Sequence, residues 1–295
     1  MGDVKLDIGA IVAEKKALFE RYLRIYLADL KQFSTLHAAC AYSLSTGGKR
    51  LRPVLTMLAC EALNGRTEQA LQASLAVEMV HTFSLIHDDL PAIDNDDIRR
   101  GMPTCHKAFG EAAAILAGDA LIFAAFAIIG SSDYSPEVRA DLSLFMADAC
   151  GMNGLLEGEY EDIMAEGKEL SIAQIERIYA QKTAKLFELS IYAGSRIGGG
   201  TADQIQSMVS YGLHLGRAFQ AIDDILDMTS STHILGKTSG KDVFQDKATL
   251  VKALGLEGAK AWAADETGKA VSAIAGIPLG SVLIEFARDM LKRMN

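Results

Sequence analysis

Two knots of aspartate, each set into an otherwise apolar run, constrain this chain more than any other feature. The first is Ser84-Leu85-Ile86-His87-Asp88-Asp89-Leu90-Pro91-Ala92-Ile93-Asp94, followed by Arg99-Arg100-Gly101. The second is Phe219-Gln220-Ala221-Ile222-Asp223-Asp224-Ile225-Leu226-Asp227. Carboxylates are not buried in an apolar core without a partner. Such knots belong on a solvated face or around a shared polar cavity. In the second knot, Asp223 and Asp227 are four apart and share one helical face, with Asp224 about 100° round. Bare carboxylates at that spacing repel by some tenths of a kcal/mol. A hard cation bridging them removes that cost, and Mg²⁺ is commonly held by one or two carboxylates plus substrate phosphates. In the first knot, Asp88 and Asp94 are six apart, about 240° round a regular helix. They converge only if the helix breaks between them, and Pro91 supplies the break. The two knots are therefore expected to face each other across one cavity, with divalent metal between them. His81 lies on nearly the same face as Asp88. Ser84 sits one turn below it, and Phe83 is next to Ser84.

The rest of the chain reads as helices. Few prolines, abundant Ala and Leu, and a 49% hydrophobic composition favour them and allow a sizeable core. Apolar positions at helical spacing mark residues 4–30. A second helix covers Thr35 to Leu44. Pro53 suits the first turn of a third, which ends at Asn64-Gly65. Thr67 is a plausible N-cap for a long helix running to about Leu90. A charged loop follows to Pro103. Helix resumes near Thr104, at Glu111 to Ile129 and after Ser135-Pro136, then at about 153–166, 172–196, 202–229, 256–272 and 281–293. Gly198-Gly199-Gly200 reads as a helix stop, because it follows a helix and lacks GxGxxG spacing. Thr229 to Asp246 reads as a loop. No stretch alternates convincingly at period two, so no sheet is supported. With no linker or repeat, residues 1–295 read as one all-α domain.

A formal charge of −9 argues against nucleic acid as the main partner. An anionic substrate would need local help from metal or clustered Lys and Arg. The four cysteines are widely spaced, which suits free thiols in a reducing compartment better than disulfides or zinc. No signal-peptide pattern is visible, Leu6 stands where a myristoylation signal needs Ser or Thr, and a cytoplasmic location is expected. The most apolar run, Ala112 to Ile129, carries Asp119. It reads as a core or subunit-interface helix rather than a membrane span.

Basic groups complete the pattern. Gly47-Gly48-Lys49-Arg50-Leu51-Arg52-Pro53 puts Lys49 and Arg52 at a helix start, where backbone N–H groups also favour anions. Arg99 and Arg100 follow the first knot, Lys182-Thr183 opens a helical stretch, and Lys237 sits in the late loop. Singly these read as surface cations. With six aspartates they suit two phosphorylated ligands, one held through metal and one held directly by Arg, Lys and His. A carboxylate pair could instead serve sugar hydrolysis, but two clusters of three aspartates suit metal–diphosphate chemistry better.

These motifs, with Ala117-Gly118-Asp119-Ala120-Leu121 and the spacing Phe219-Gln220-x-x-Asp223-Asp224-x-x-Asp227, resemble the trans-polyprenyl diphosphate synthases over roughly residues 40–245. The pattern is most similar to the bacterial farnesyl diphosphate synthases, and geranylgeranyl diphosphate synthases are also similar. The resemblance implies a large helical bundle around a deep central cavity, usually a homodimer. It implies Mg²⁺-assisted condensation of isopentenyl diphosphate with dimethylallyl or geranyl diphosphate. Carried over by position, Asp88, Asp94 and Asp223 are metal ligands, with Asp89, Asp224 and Asp227 as helpers. Lys49, Arg52, His81 and Arg100 match the isopentenyl diphosphate site. Arg99, Lys182 and Lys237 match the allylic diphosphate side. Thr183 and Gln220 match polar groups near the developing cation.

The aromatic Phe83, five places before Asp88, and the Leu90-to-Ile93 spacing resemble C15 producers, so farnesyl diphosphate is the expected product. Geranylgeranyl or geranyl diphosphate is the alternative. Thr249-Leu250-Val251 and Lys185 depart from the family pattern, and Lys185 puts a charge close to the cation-facing surface. A terpene cyclase or squalene-synthase-like enzyme would have other acidic spacings and no Gly-Gly-Lys-Arg-Leu-Arg-Pro run. A non-catalytic partner subunit would often lose the first knot. The paired knots also argue against a structural or membrane-scaffold protein.

Overall fold

A computed structural model describes residues 6–30, 34–229 and 248–294. Helices α1 (Ile8–Leu30), α2 (Thr35–Ser45), α3 (Leu51–Ala62) and α4 (Leu71–Asp88) follow the expected order. Ser34 caps α2 by accepting from His37 N at 3.3 Å. The expected N-cap role of Thr67 is not seen. Thr67–Ala70 is a 3₁₀ turn ahead of α4. The Thr67 hydroxyl is instead recruited by a partly buried pair, donating to Glu61 while accepting from Lys15 Nζ at 2.8 Å. Helix α4 stops at Asp88, short of Pro91.

The loop beyond α4 contains a two-residue hairpin, β1 (Ile98–Arg99) with β2 (Met102–Pro103), which the period-two test had no length to detect. Its central residues Arg100 and Gly101 both have positive φ, 54° and 77°. That is the primed turn that matches strand twist. There follow α5 (Cys105–Phe109), α6 (Glu111–Gly130), α7 (Pro136–Cys150), α8 (Leu155–Ala165) and α9 (Ile172–Ile178). Ser135 with Pro136 starts α7 as expected. The stretch expected as one helix over 172–196 is interrupted by a π turn, Tyr179–Ala184, before α10 (Lys185–Ile197). Helix α11 (Ala202–Thr229) carries the second knot. Helix α12 (Leu250–Ala273) is kinked at Gly255 (φ 73°), and α13 (Ser281–Lys292) closes the order. The loop expected after Thr229, with Lys237, lies outside the described residues.

Helices α3, α4, α10 and α11 form the centre. Helix α10 lies between α3 and α11, α4 packs on α3 and α6, and α12 covers α11. Along α4 nearly every residue from Ala73 to Ser84 is buried. Close approach depends on small residues: a Cβ added at Gly194 on α10 would overlap Thr56 O and lie 2.7 Å from Ala59 Cβ. Helix α6 turns Ala114, Ala117, Leu121 and Ala125 inward and leaves Leu116 (55%) and Phe123 (73%) exposed. By length and composition it could cross a membrane, and 33% of that window is buried within the fold.

Although alanine is the better helix former, Gly194→Ala should destabilise the protein, by roughly 1–3 kcal/mol, because the added methyl overlaps α3 backbone. Urea unfolding at fixed pH reads this directly. Wild-type stability would show that α3 and α10 are not packed this tightly.

Candidate active site

Both acidic knots line one cavity of about 230 Å³. Its walls include Asp88, Asp94 and Arg99, Asp162 from α8, Tyr179, Lys182 and Thr183 from the π turn, Gln220, Asp223, Asp224 and Asp227 from α11, and Thr249. The first knot converges as its proline implied. Beyond Pro91 the chain folds back along the end of α4, with Asp94 N donating to Asp88 O at 2.8 Å and Asp96 N to Asp89 O at 3.2 Å. Asn95 takes φ 51° in that turn, a conformation Asn tolerates.

The acids are not equivalent. Asp89 is 2% exposed and is gripped by the Arg99 fork, with Nε at 2.8 and 2.9 Å from its two oxygens and Nη2 at 2.5 Å. Asp88 has no such clamp. Burial, then Glu159 nearby, pushes its carboxyl up to about 8, against the pull of Lys182 and Arg99. In the second knot Asp224 and Asp227 are 6% exposed, while the side chain of Asp223 is 36% exposed. Arg293 Nη2 from the end of the chain lies 3.7 Å from Asp223 Oδ1.

Lys182 is held between Glu159 (2.8 Å) and Asp162 (2.5 Å). Burial would lower its pKa, but Asp162, Glu159 and Asp88 outweigh it and hold the ammonium well above the usual range. Gly158 allows this, because a methyl there would overlap Lys182 N and come 2.7 Å from Gln181 C. Thr183 Oγ1 donates to Gln220 Oε1 at 2.6 Å, and Gln220 Nε2 donates to Asp224 Oδ1 at 2.8 Å. Lys185 turns instead to Glu188 at 3.2 Å and does not line the cavity.

The remaining basic residues divide. Arg52 Nη1 lies 3.2 Å from His81 Nε2, with its guanidinium 5.3 Å over the Phe187 ring. Arg100 bonds Gly47 O and fills the space beside Gly48. Burial, then Arg52 and Arg100, holds His81 well below the usual imidazole range, so it stays neutral. Burial also pulls Arg52 down to about 10. Lys49 is exposed and lines a different cavity, of about 170 Å³, beside Phe286, Met290 and Arg293. Arg50 belongs to the fold, donating to Glu20 (2.7 Å), Glu78 (2.6 Å) and Leu44 O (2.7 Å). Phe83 is 2% exposed and stands edge-on to His87 at 5.8 Å.

Among the described residues, no three acid, histidine or cysteine side chains converge closely enough to hold an ion unaided. The donors facing the cavity are carboxylate oxygens, and burial with Glu159 nearby raises the Asp88 carboxyl in spite of Lys182 and Arg99. This fits a hard cation whose coordination is completed by ligand oxygens.

The polyprenyl synthetase family model matches residues 33–272. The chain belongs to that family. It is a short-chain trans-prenyltransferase. It is 43% identical over 259 residues to a farnesyl diphosphate synthase of Geobacillus stearothermophilus, covering 87% of each chain. It is 44% identical over 275 residues to a chloroplastic heterodimeric geranylgeranyl pyrophosphate synthase large subunit of Arabidopsis thaliana, covering 90% of this chain and 74% of that one. The solved geranyltransferase of Helicobacter pylori, complexed with magnesium and isoprenyl diphosphate, superposes with a TM-score of 0.80 at 28% identity, covering 94% and 96% of the two chains. The all-α expectation holds, and the fold is that of the isoprenyl synthases.

Sequence reading missed Glu159, Asp162 and Tyr179. Glu159 and Asp162 lie in the acidic stretch Glu157 to Asp162, which looks like a solvated face. Tyr179 lies in a run whose helical phase the π turn alters.

The Asp88 shift fixes a pH dependence. Its folded pKa is raised, so without metal the folded state holds the proton more tightly. The resulting stability is full below about pH 4 and is lost as pH rises towards 8. Thermal unfolding in chelator between about pH 5 and 8 should slope downward in the wild type and flatten in Asp88→Asn. An unchanged slope would put the proton elsewhere.

Proposed function

We propose that this protein condenses isopentenyl diphosphate with dimethylallyl or geranyl diphosphate to give farnesyl diphosphate and diphosphate. The observation that carries the reading is the meeting of both acidic knots in one cavity, with Arg99 and Lys182 in its wall. Mg²⁺, when bound, would neutralise the diphosphate oxygens and favour their departure from the allylic carbon. Asp88, Asp94 and Asp223 would hold it, and Asp89, Asp224 and Asp227 would orient those ligands or their waters. Arg99, Lys182 and Lys237 would face the allylic diphosphate. Arg52 and Arg100 would take the isopentenyl diphosphate. A neutral His81 contributes hydrogen bonding there and leaves the charge to the arginines.

The allylic C–O bond breaks, and the electron pair leaves with diphosphate. The double bond of isopentenyl diphosphate attacks the cation, and a proton is lost to the departing diphosphate. The oxygens of Thr183 and Gln220, already hydrogen-bonded to each other, offer fixed dipoles to the developing charge.

Relatives named for C15 and for C20 products match this chain equally well, so product length rests on the residues below the first knot. Phe83, bulky and buried five places before Asp88, supports C15 over C20 or C10. The same reading takes residues 1–295 as one polyprenyl synthase domain in the cytoplasm. It forms a homodimer, which the exposed Leu116 and Phe123 on α6 and Leu156 and Tyr160 on α8 support.

Incubation with Mg²⁺, isopentenyl diphosphate and geranyl diphosphate should release diphosphate and yield a C15 chain, and chelation should abolish both. Absence of any longer prenyl product would end the proposal. A C20 product would retain the reaction and replace the chain length. Asp88→Asn and Asp223→Asn should each lower kcat/KM about a hundredfold or more. Phe83→Ala should lengthen the product, and chromatography showing unchanged C15 would remove Phe83 as the cavity floor.

A further inference from the structure

The site contains a buried phenol that the reaction scheme leaves unused. Tyr179 opens the π turn and is 4% exposed. Its hydroxyl donates to Asp224 Oδ2 and accepts from Leu250 N at 3.0 Å. Leu250 N–H is a first-turn donor of α12 with no partner inside that helix, so one oxygen ties together the π turn, α11 and α12. The ring is held from the other side. Trp262 of α12 stands edge-on to it at 6.1 Å and donates Nε1 to Glu176 Oε1 at 2.9 Å. Asp224 thus receives Tyr179 on Oδ2 and Gln220 on Oδ1, while Thr183 fixes Gln220.

We infer that Tyr179 is a positioning residue for the metal–diphosphate site, acting through Asp224 rather than on the substrate. A carboxylate that receives a fixed donor on each oxygen cannot rotate to meet its neighbours. The arrangement holds the second knot in one geometry before any ligand arrives. The phenol keeps the proton that it donates, because burial, then the charge of Asp224, holds its pKa well above the usual range. The bond to Leu250 N extends the same constraint to Thr249, which lines the cavity wall. Phenylalanine keeps the ring and its Trp262 contact but supplies neither bond.

The inference rests on the proposed metal–diphosphate chemistry, and its test does not need turnover. Mn²⁺ binding in the presence of inorganic diphosphate is measured by calorimetry on the full chain, for wild type, Tyr179→Phe, Asp224→Asn and the double variant. Outer-shell partners of this kind typically affect metal affinity by 10–100-fold. Tyr179→Phe should therefore weaken binding about tenfold, with metal-free melting within a few degrees of wild type. In the Asp224→Asn background the same change should matter less than about twofold, since the carboxylate it positions is gone. Wild-type affinity in Tyr179→Phe, or an equal loss in both backgrounds, overturns the inference. Wild-type protein that binds Mn²⁺ and diphosphate but makes no prenyl product would sink the function and leave Tyr179's role intact.

Discussion

Confined like charge governs this molecule. Among the described residues, seven aspartates line the cavity, Asp88, Asp94, Asp96, Asp162, Asp223, Asp224 and Asp227, against two cations, Arg99 and Lys182. Carboxylates sharing a site of low dielectric cannot all ionise without compensation. The protein meets this in three ways. Arg99 is committed to Asp89, Lys182 to Asp162 and Glu159, and burial holds the Asp88 carboxyl above the usual carboxylate range. The residual negative field is what an incoming cation–diphosphate complex would satisfy. Stability and binding therefore oppose each other at the same residues.

The scaffold around the cavity is built to hold these charges in place. Glycine at position 158 brings α8 against the backbone of Lys182, so both carboxylates that flank the ammonium come from one helix. The β1–β2 hairpin turns the chain so that Arg99 reaches Asp89 while Arg100 reaches Gly47. Buried pairs elsewhere, such as Arg50 with Glu20 and Glu78, are structural.

Much of this was legible in the sequence, for identifiable reasons. The helices announce themselves by period and by caps such as Ser135. The convergence of Asp88 and Asp94 follows from Pro91 and the turn behind it. The grouping of Lys49 with Arg52 was harder to read. Gly47, Gly48 and Arg50 all have positive φ, and no spacing rule says where a residue among them will point. Arg52 enters the helix and meets His81, whereas Lys49 faces a neighbouring cavity. Glu159 and Asp162 were hidden because an acidic helix face looks the same whether it meets water or a lysine. Tyr179 was hidden because regular helical phase fails where the π turn begins.

That turn sets a rule about chain length. A π turn is an α-helix carrying one extra residue. Removing a single residue between Tyr179 and Ala184 would return the segment to regular α geometry, with the flanking helices keeping their faces while positions inside the turn shift by about 100°. Side chains there can be exchanged one at a time, but the number of residues cannot change without moving Lys182 or Thr183 off the cavity wall. Sequence drift in this segment is thus open to substitution and closed to insertion and deletion, although it lies inside a helix rather than at a tight loop.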